Sequence, residues 1–484
     1  MTGIPARSPS GVRLSGDDYQ HLVTWNEVLV AMRPDSGAET ITVEARDAGN
    51  VDDIVVVYRS ARVKYTQVKH TVDARTPVGT EYLTQPSRRG GQSLLQRFHS
   101  SWEELRTDHE RPDMCLITDR EVDPGDDAMR GLDRRSERLV PEFGTPGARV
   151  TRVAWAEHLG IDTDELLAFL SDLRLMTGRP YAAEAERADS LMWAHGLNTG
   201  QHAIDSAIAL VRDWVQQRDR TLDVATLRDR AFDRVGRASD PGALLVIEGI
   251  DEDLHPDDAD ARVHFVERYR GEEPDLRREL ADPADWQLVV APELDRAAHD
   301  LQAAGKLRVL VRGAMRLPTW FGAGATLRHV HGFTVAALQH GNIWSSDTAG
   351  ASHGLVKTSE VTPGPGPDLA IAVGIATDPT LGVETFIAAA RLPVARLAVV
   401  TPLHGPGPES VPNGQIAASM AVAVRDEARL LLEQADTERI HLFLAVPGGL
   451  ALLLGHRWNA LRPTTVYEHL GAGRGYVPTL EVQA

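Results

Sequence analysis

Cysteine is nearly absent from this 484-residue sequence, which contains one, Cys115. A single thiol excludes a disulfide framework and any cysteine-rich zinc module, and it favours a reducing cytoplasm. Long apolar runs are also absent, so no segment reaches the roughly 18 residues that a membrane helix needs. Residues 1–15 lack the apolar stretch of a secretory signal. We therefore expect a cytoplasmic protein with no membrane partner.

Several nucleotide and metal motifs are missing as well. No Gly-x-x-x-x-Gly-Lys-Ser/Thr run occurs, which argues against a P-loop ATPase, and no His-Glu-x-x-His pair occurs. The acidic stretch 251–260 lacks the spacing and the central glycine of an EF-hand. Residues 350–354 have the spacing of a nucleophile elbow, but a polar segment precedes them where that elbow needs a buried strand.

Charge is distributed unevenly along the chain, whose formal net charge is −18. Residues 101–299 carry 25 basic and 44 acidic side chains, whereas residues 300–484 carry 14 of each. Residues 54–100 carry eight basic and two acidic side chains. This local excess could follow a phosphate backbone or could form a solvated face.

The apolar pattern divides the chain into three zones, and we predict an α/β multidomain protein. The first zone, residues 1–148, indicates a small α/β unit with a central sheet. The second, residues 149–240, is helical almost throughout, including residues 155–175, and we predict a helical connector. The elements predicted in the first zone are helices at 17–31 and 92–105 and strands at 40–45, 54–58, 63–68 and 113–118.

The third zone, residues 241–484, alternates apolar strands with helices. Two of its strands end in Gly/Pro loops, at residues 402–408 and 447–449. This layout predicts a mostly parallel sheet, in which ligands bind beyond the carboxyl ends of the strands. The elements predicted here are strands at 307–311, 369–376, 397–401 and 441–446 and a helix at 415–434.

The pattern that most suggests chemistry is Asp53 followed, 14 residues later, by Gln67-Val-Lys69. Side chains alternate along a strand, so Gln67 and Lys69 share a face, and a hairpin would bring Asp53 to the same face. Asp53 offers a carboxylate and Gln67 a carbonyl to Mg²⁺ or Mn²⁺. Lys69 can position a water or stabilise charge on a phosphate. This is the PD-(D/E)XK nuclease pattern with Gln in an acidic slot, and the alternative is a polar strand face open to solvent.

Three further positions extend this pattern. Gln20 stands where nucleases of this class often have a glutamate, and Glu44 is a candidate auxiliary metal ligand. Arg88 and Arg89 stand beside two glycines, on a predicted loop, and we expect them to contact DNA phosphates rather than bases.

At both ends the chain resembles a known family. The N-terminal quarter, with Asp53, Gln67 and Lys69, is similar to the nuclease domain of the CD-NTase-associated DNA endonucleases of CBASS anti-phage systems. The C-terminal part is similar to SAVED domains over residues 320–324, 339–346 and 441–468.

The resemblance implies a restriction-endonuclease-like nuclease domain, a helical connector and a Rossmann-like, CARF-related SAVED sensor, within the three zones given above. It implies an anti-phage effector that binds a cyclic di- or trinucleotide, self-associates and then cuts double-stranded DNA in a metal-dependent reaction.

Residues that could contact the cyclic oligonucleotide follow from the resemblance and from the Gly/Pro loops. A helix that opens after Pro447, Gly448 and Gly449 offers backbone N–H groups to phosphates, although this loop could also be a plain strand-to-helix turn. Arg457 could pair with a phosphate, and Trp344 could stack on a base or belong to the core. The remaining candidates are Gly322, Gly324 and His404.

Two other functions stay open at this point. The chain could be a cyclic-nucleotide sensor or adaptor whose nuclease-like domain binds DNA but does not cut it. It could also be a nucleotide-processing enzyme centred on the C-terminal sheet, where no convincing pair of base and nucleophile stands out.

Overall fold

The computed structural model describes residues 9–45, 48–71, 76–86, 91–106, 111–133, 136–139, 148–339, 341–434, 436–471 and 473–483. The chain divides into two compact units, which we call the first unit (Met1–Ser239) and the second unit (Asp240–Ala484). This boundary falls within one residue of the predicted start of the third zone.

The first unit is built on a six-stranded sheet. Its strands are β1 (Ala38–Val43), β2 (Ile54–Tyr58), β3 (Val63–Lys69), β4 (Asp113–Thr118), β5 (Leu173–Met176) and β6 (Thr221–Asp223). The order across the sheet is β5-β4-β3-β2-β1-β6. β1, β2 and β3 form an antiparallel meander, and β4 and β5 continue from β3 in parallel. The strands predicted in the first zone are confirmed to within a few residues at their ends.

The helices of the first unit are α1 (Pro9–Ala31), α2 (Thr80–Thr84), α3 (Leu94–Leu105), α4 (Arg149–Leu159), α5 (Thr163–Asp172), α6 (Tyr181–Ala194), α7 (Gln201–Val215) and α8 (Val224–Val235). Ser93 caps α3, because its hydroxyl accepts from the backbone of Gln96 while the Gln96 side chain bonds back to Ser93. α1 is held against β3 by a buried ion pair, in which Lys64 Nζ lies 2.6 Å from Glu27 Oε2.

The helical connector predicted at residues 149–240 is not a separate unit. Its helices belong to the first unit, and it contributes two strands, β5 and β6, to the edges of the first sheet. The helix predicted to run to Leu175 ends at Asp172, because Leu173–Met176 pair in parallel with β4 and become buried there. Such short apolar edge strands cannot be distinguished from helix by periodicity alone.

The second unit contains two sheets, and both confirm the predicted parallel layout. The first, ordered β11-β10-β9-β7-β8, is parallel except for its edge strand Asn342–Ser345; the second, ordered β12-β14-β13-β15-β16-β17, has a parallel centre and an antiparallel strand at each edge. The strands are β7 (Ala243–Glu248), β8 (Ala261–His264), β9 (Arg308–Arg312), β10 (Thr334–Gln339), β11 (Asn342–Ser345), β12 (Val356–Val361), β13 (Asp368–Gly374), β14 (Val394–Pro402), β15 (Ile440–Ala445), β16 (Thr464–His469) and β17 (Tyr476–Val482).

The helices of the second unit are α9 (Ala291–Ala303), α10 (Leu317–Thr326), α11 (Thr380–Ala390), α12 (Gly414–Glu433) and α13 (Gly448–Arg457). α10 and α13 pack very closely: a Cβ on Gly324 would lie 2.0 Å from the Leu452 carbonyl oxygen, and one on Gly455 2.0 Å from that of Phe321. A single apolar core connects side chains of both sheets with those of α10 and α13. In the part of the chain that the structure describes, no helix combines the length and the apolar character needed to cross a membrane.

Candidate functional site

The candidate nuclease site of the first unit lies where β2 begins and β3 ends. Ile54 pairs with Thr66 in the antiparallel ladder, so Asp53 lies opposite Gln67 one step further along. The Gln67 amide donates a hydrogen bond to Asp53 Oδ2, and the backbone N–H of Val68 donates to the same oxygen at 2.7 Å. The hairpin therefore brings together the carboxylate and the amide that the sequence separates by 14 residues.

Lys69 is the last residue of β3 and shares a face with Gln67 because two residues separate equivalent positions on a strand. Burial lowers the pKa of Lys69, the carboxylate of Asp53 raises it, and the positive charge of Arg97 lowers it again. Among the described residues, the Lys69 ammonium makes no hydrogen bond or ion pair. It is a partly buried cation that can accept an anionic ligand.

Asp53 is held in an environment that disfavours its charge. Burial raises the pKa of Asp53 to about 6, although the hydrogen bond from Val68 and the charge of Lys69 both lower it. Ionised Asp53 near neutral pH is therefore costly to the fold, and a cation bound at its oxygens would relieve that cost.

Gln20 of α1 reaches the same carboxylate. Its Nε2 donates to Asp53 Oδ1 at 3.3 Å, so each Asp53 oxygen accepts a hydrogen bond from a side-chain amide. The sequence predicted that Gln20 occupies a position used by a glutamate in similar nucleases, and the structure places it next to Asp53. The site thus contains one carboxylate and two amides from Gln20 and Gln67.

These side chains fit a hard divalent cation. Rotation of an amide about its last bond exchanges its nitrogen and oxygen, so Gln20 and Gln67 can present carbonyl oxygens where they now present N–H groups. With the Asp53 carboxylate they would form an all-oxygen donor set for Mg²⁺ or Mn²⁺, and Mg²⁺ commonly keeps several waters and takes only one or two protein carboxylates.

The Glu44 carboxylate, the predicted auxiliary metal ligand, is paired with another side chain and is not part of this donor set. Glu44 follows β1 with φ +46°, and its N–H donates to the Asp53 carbonyl oxygen at 3.0 Å, so the two backbones are neighbours. The Glu44 carboxylate, however, pairs with Arg220 Nη1 at 2.6 Å. A metal role for Glu44 stays a prediction that requires Arg220 to release it.

Arg88 and Arg89, predicted to contact DNA phosphates, lie outside the residues that the structure describes. Three residues not predicted from the sequence lie beside Lys69 instead. His70 and Asp119 directly follow the paired ends of β3 and β4, and their side chains approach to 2.8 Å between His70 Nδ1 and Asp119 Oδ2. The ring of Tyr19 stacks on His70 at 4.9 Å between centroids. His70 and Asp119 directly follow adjacent parallel strands, and this is the signal in the sequence that could have identified them.

In the second unit, the loop 447–449 is a strand-to-helix turn as predicted. Pro447 is the N-cap residue of α13, and the N–H of Gly449 already donates to Gln339 Oε1 at 3.0 Å. A Cβ on Gly448 would lie 2.7 Å from Trp320 Nε1, and one on Gly449 would lie 3.1 Å from Trp344 Cε3. These glycines let two tryptophan rings pack against the start of α13.

Several predicted ligand residues have packing roles in the structure. Trp344 is 5% exposed and belongs to the core, which favours the second of the two roles weighed for it. Gly322 and Gly324 lie inside α10, where their missing side chains admit Leu480 and the backbone of Leu452. The packing of these three residues accounts for their identity without a ligand.

The structure also separates two of the predicted ligand residues from Pro447–Gly449. Arg457 is at the opposite end of α13, about 14 Å along the helix axis from Gly448, and its Nη2 donates to the Ser346 carbonyl oxygen. His404 is exposed in the turn after β14. The structure therefore does not assemble the predicted set into one pocket.

A buried polar cluster that sequence reasoning missed lies around the end of β16 and the start of α10. The hydroxyls of Thr319 and Tyr269 are buried and lie close enough to interact with each other. Burial raises the pKa of Glu468 to about 8, and the charges of Arg316 and Arg278 lower it. The negative charge of Glu468 also raises the pKa of Tyr269, so the groups are close. We refer to Tyr269, Thr319, Arg316 and Glu468 as the second-unit polar cluster.

Comparison with known proteins identifies part of the second unit. Residues 290–482 match the family model of SAVED, described as the SMODS-associated and fused to various effectors sensor domain. This confirms the C-terminal resemblance and gives the second unit the character of a SAVED sensor domain. The first unit lies outside the match, and no curated protein matches the chain.

Solved structures similar to this chain are receptors. The Acinetobacter baumannii Cap4 SAVED/CARF-domain containing receptor with the cyclic trinucleotide 2′3′3′-cAAA is 14% identical, with full coverage of both chains and a TM-score of 0.45. The Moraxella osloensis Cap4 SAVED/CARF-domain containing receptor is 13% identical, with 97% of this chain and 99% of that chain covered and a TM-score of 0.42.

Proposed function

We propose that this protein is an anti-phage effector, a DNA endonuclease that a cyclic oligonucleotide activates. The observation that carries the proposal is the Asp53 carboxylate, bonded to Gln67 on the neighbouring strand and close to Lys69, which has no ion pair among the described residues, in a chain whose residues 290–482 match a sensor domain. A sensor joined to a phosphodiesterase site is the arrangement that ligand-gated cleavage requires.

The side chains of the first unit would divide the chemistry of phosphodiester hydrolysis. Asp53, Gln67 and Gln20 would hold Mg²⁺ or Mn²⁺, which supplies a Lewis acid and an activated water when bound. Lys69 lies beside Asp53 and would stabilise negative charge that develops on the phosphate. Asp53 has to be ionised to bind the cation, so its pKa of about 6 predicts that metal affinity falls below that pH.

The second unit would bind the cyclic oligonucleotide near the carboxyl ends of its parallel strands. The second-unit polar cluster supports this position, since it places a guanidinium, held by the carbonyl oxygens of Arg277 and Pro274, and two buried hydroxyls near the ends of those strands. The match to a sensor-domain family supports a signalling ligand rather than a substrate.

We propose further that ligand binding drives self-association. Residues 300–484 carry as many basic as acidic side chains, so copies of the sensor would not repel strongly when packed together. We expect a small species without ligand and a larger one with the activating cyclic nucleotide, measured by light scattering. A protein that cuts DNA without any change in mass would contradict assembly and leave an intramolecular switch.

The decisive experiment incubates plasmid DNA and Mg²⁺ with the full chain, with and without a panel of cyclic di- and trinucleotides that includes cyclic triadenylates. We expect cleavage with one class of cyclic nucleotide and none without it. Asp53→Asn should abolish cleavage while it preserves binding of that nucleotide. Cleavage by Asp53→Asn at the parental rate would show that the site assignment is wrong.

The second candidate function, a sensor or adaptor with an inactive nuclease-like domain, has one specific observation in its favour. Among the described residues the site contains a single carboxylate, because Gln67 and Gln20 stand at the other two positions and Glu44 pairs with Arg220. DNA that binds the ligand-loaded protein but stays intact with Mg²⁺ and with Mn²⁺ would favour this candidate.

A further inference from the structure

The α3 helix and its C-cap position each carry an arginine, Arg97 and Arg106, and the two are in different environments. Arg106, at its end, stacks on Trp102 with its guanidinium carbon 4.2 Å from the ring centroid, and it lies 3.7 Å from Glu165. Arg97 has neither an ion pair nor a side-chain hydrogen bond within the part of the chain that the structure describes, and its Nε is buried. A buried N–H donor without an acceptor costs free energy, so this guanidinium is poorly satisfied by the described part of the chain alone.

Arg97 lies over the candidate nuclease site. Tyr65 shares a face of β3 with Gln67 and Lys69, and it packs on the apolar cluster to which Leu94 and Phe98 of α3 belong. α3 therefore covers the strand face that presents the site. The hydroxyl of Ser101, one turn further along α3, accepts a hydrogen bond from the backbone N–H of Asn50 at 2.9 Å, so α3 also packs on the loop that leads into Asp53. Burial lowers the pKa of Lys69, and the charge of Arg97 lowers it further, which agrees with this placement.

Two cations and two carboxylates meet at this place. Lys69 and Arg97 are the cations, and the carboxylates that act on Lys69 are Asp53, whose own pKa is raised by burial, and Asp52. Like charges at short range repel unless an anion lies between them. A phosphodiester supplies one negative charge and several acceptor oxygens in a geometry that a guanidinium can bind with two N–H groups.

We infer that Arg97 is a second cationic ligand of the DNA phosphate at the candidate nuclease site, acting beside Lys69. This inference rests on the proposed function, since it requires DNA in that site. It assigns to α3 the task of holding the phosphate against the Asp53–Gln67 pair, with Arg97 as the donor that would otherwise stay unpaired.

The test compares these two arginines. Arg97→Gln and Arg106→Gln are prepared in the full chain and in an Asp53→Asn background that prevents cutting. Affinity for a short DNA duplex is measured against KCl concentration in the presence of the cyclic nucleotide panel. We expect Arg97→Gln to reduce the slope of log K against log salt by about 1, as the loss of one phosphate contact does, and Arg106→Gln to leave it unchanged.

Cleavage gives a second readout. Arg97→Gln should slow single-turnover cleavage by about 10²-fold. Arg97→Lys should keep the salt slope and recover part of the rate, because it keeps the charge and loses the two-pronged geometry.

The outcomes separate the inference from the proposed function. Equal salt slopes for Arg97→Gln and Arg106→Gln would overturn the inference even if the parental protein cuts DNA. A parental protein that binds duplex but never cuts would overturn the proposed function, and the two slopes would still decide the role of Arg97. A protein that binds no duplex with any nucleotide of the panel would overturn both.

Discussion

The two units place their polar side chains by different routes. In the first unit, Asp53, Gln67 and Lys69 come from one antiparallel hairpin, so strand alternation and a single register bring them together. In the second unit, Glu468 and Thr319 come from elements far apart in the sequence. A local site of the first kind can be predicted from spacing, whereas a site of the second kind depends on how distant elements pack.

Within the first unit, two buried or partly buried lysines of one strand differ in the same way: one has an ion-pair partner and the other does not. On β3, Lys64 faces Glu27 of α1 in a buried ion pair, which raises the pKa of Lys64, while Lys69 on the other face has no such partner. One strand therefore carries a structural lysine and a candidate catalytic lysine, five residues apart and on opposite faces.

The largest effect that we predict distinguishes these two lysines. Lys69→Ala should lower the rate of DNA cleavage by about 10²–10³-fold with no loss of cyclic-nucleotide binding. Lys64→Met should leave buried Glu27 with only the more distant Arg187, at 4.0 Å, and cost about 3 kcal/mol of stability in the first unit. Plasmid cleavage measures the effect of Lys69→Ala, and thermal unfolding measures the effect of Lys64→Met. Parental cleavage by Lys69→Ala, or full stability of Lys64→Met, would remove the distinction.

The next effect concerns the second unit alone. Gly324→Ala puts a methyl group 2.0 Å from the Leu452 carbonyl oxygen, so α10 and α13 have to separate. We expect a loss of about 1–3 kcal/mol in the second unit and unchanged unfolding of the first. Gly407→Ala is the control, because the nearest atom to its Cβ, Ser410 Oγ, is 3.8 Å away. Calorimetry should show one transition shifted, and equal melting of the two variants would contradict the packing described here.

A smaller effect tests the strain at Asp53. The pKa of this group is raised to about 6 in the folded protein, so its ionisation destabilises the fold as pH rises from about 4 to about 6. Asp53→Asn should therefore raise Tm at neutral pH without metal by about 2–4 °C. Mg²⁺ should stabilise the parental protein and not the variant. A variant that melts below the parental protein would mean that the carboxylate is structural.

A further effect of pH, on the second unit, belongs to the second-unit polar cluster. Burial raises the pKa of Glu468 to about 8, so stability of the second unit should fall as pH rises from about 4.5 to about 8. Glu468→Gln should flatten this dependence. The measurement is the Tm of the second unit across that pH range. Glu481→Gln, on the next strand and half exposed, is a control that should leave it unchanged. A parental Tm that stays constant across this range would show that neighbouring positive charges offset the cost of ionising Glu468.

Much of the fold could be predicted from the sequence because its strands are strongly patterned. β4 and the central strands of the second unit were predicted to within a few residues, since runs such as Asp113–Thr118 are bounded by polar residues and carry continuous apolar side chains. The Asp53–Gln67 pair was predicted for the same reason, because alternation on two short strands fixes which side chains can meet.

Local spacing along the chain is enough to specify most of the elements and the hairpin site. The remaining features depend on packing between distant elements, which the structure shows. It showed that Leu173–Met176 join the first sheet, that Trp344 and Gly324 serve the packing of α10 and α13, and that Arg457 lies a helix length from Gly448. The position of Arg97 at the candidate nuclease site could not be predicted for the same physical reason. Whether a side chain has a partner depends on which distant elements cover it, and spacing along the chain does not contain that information.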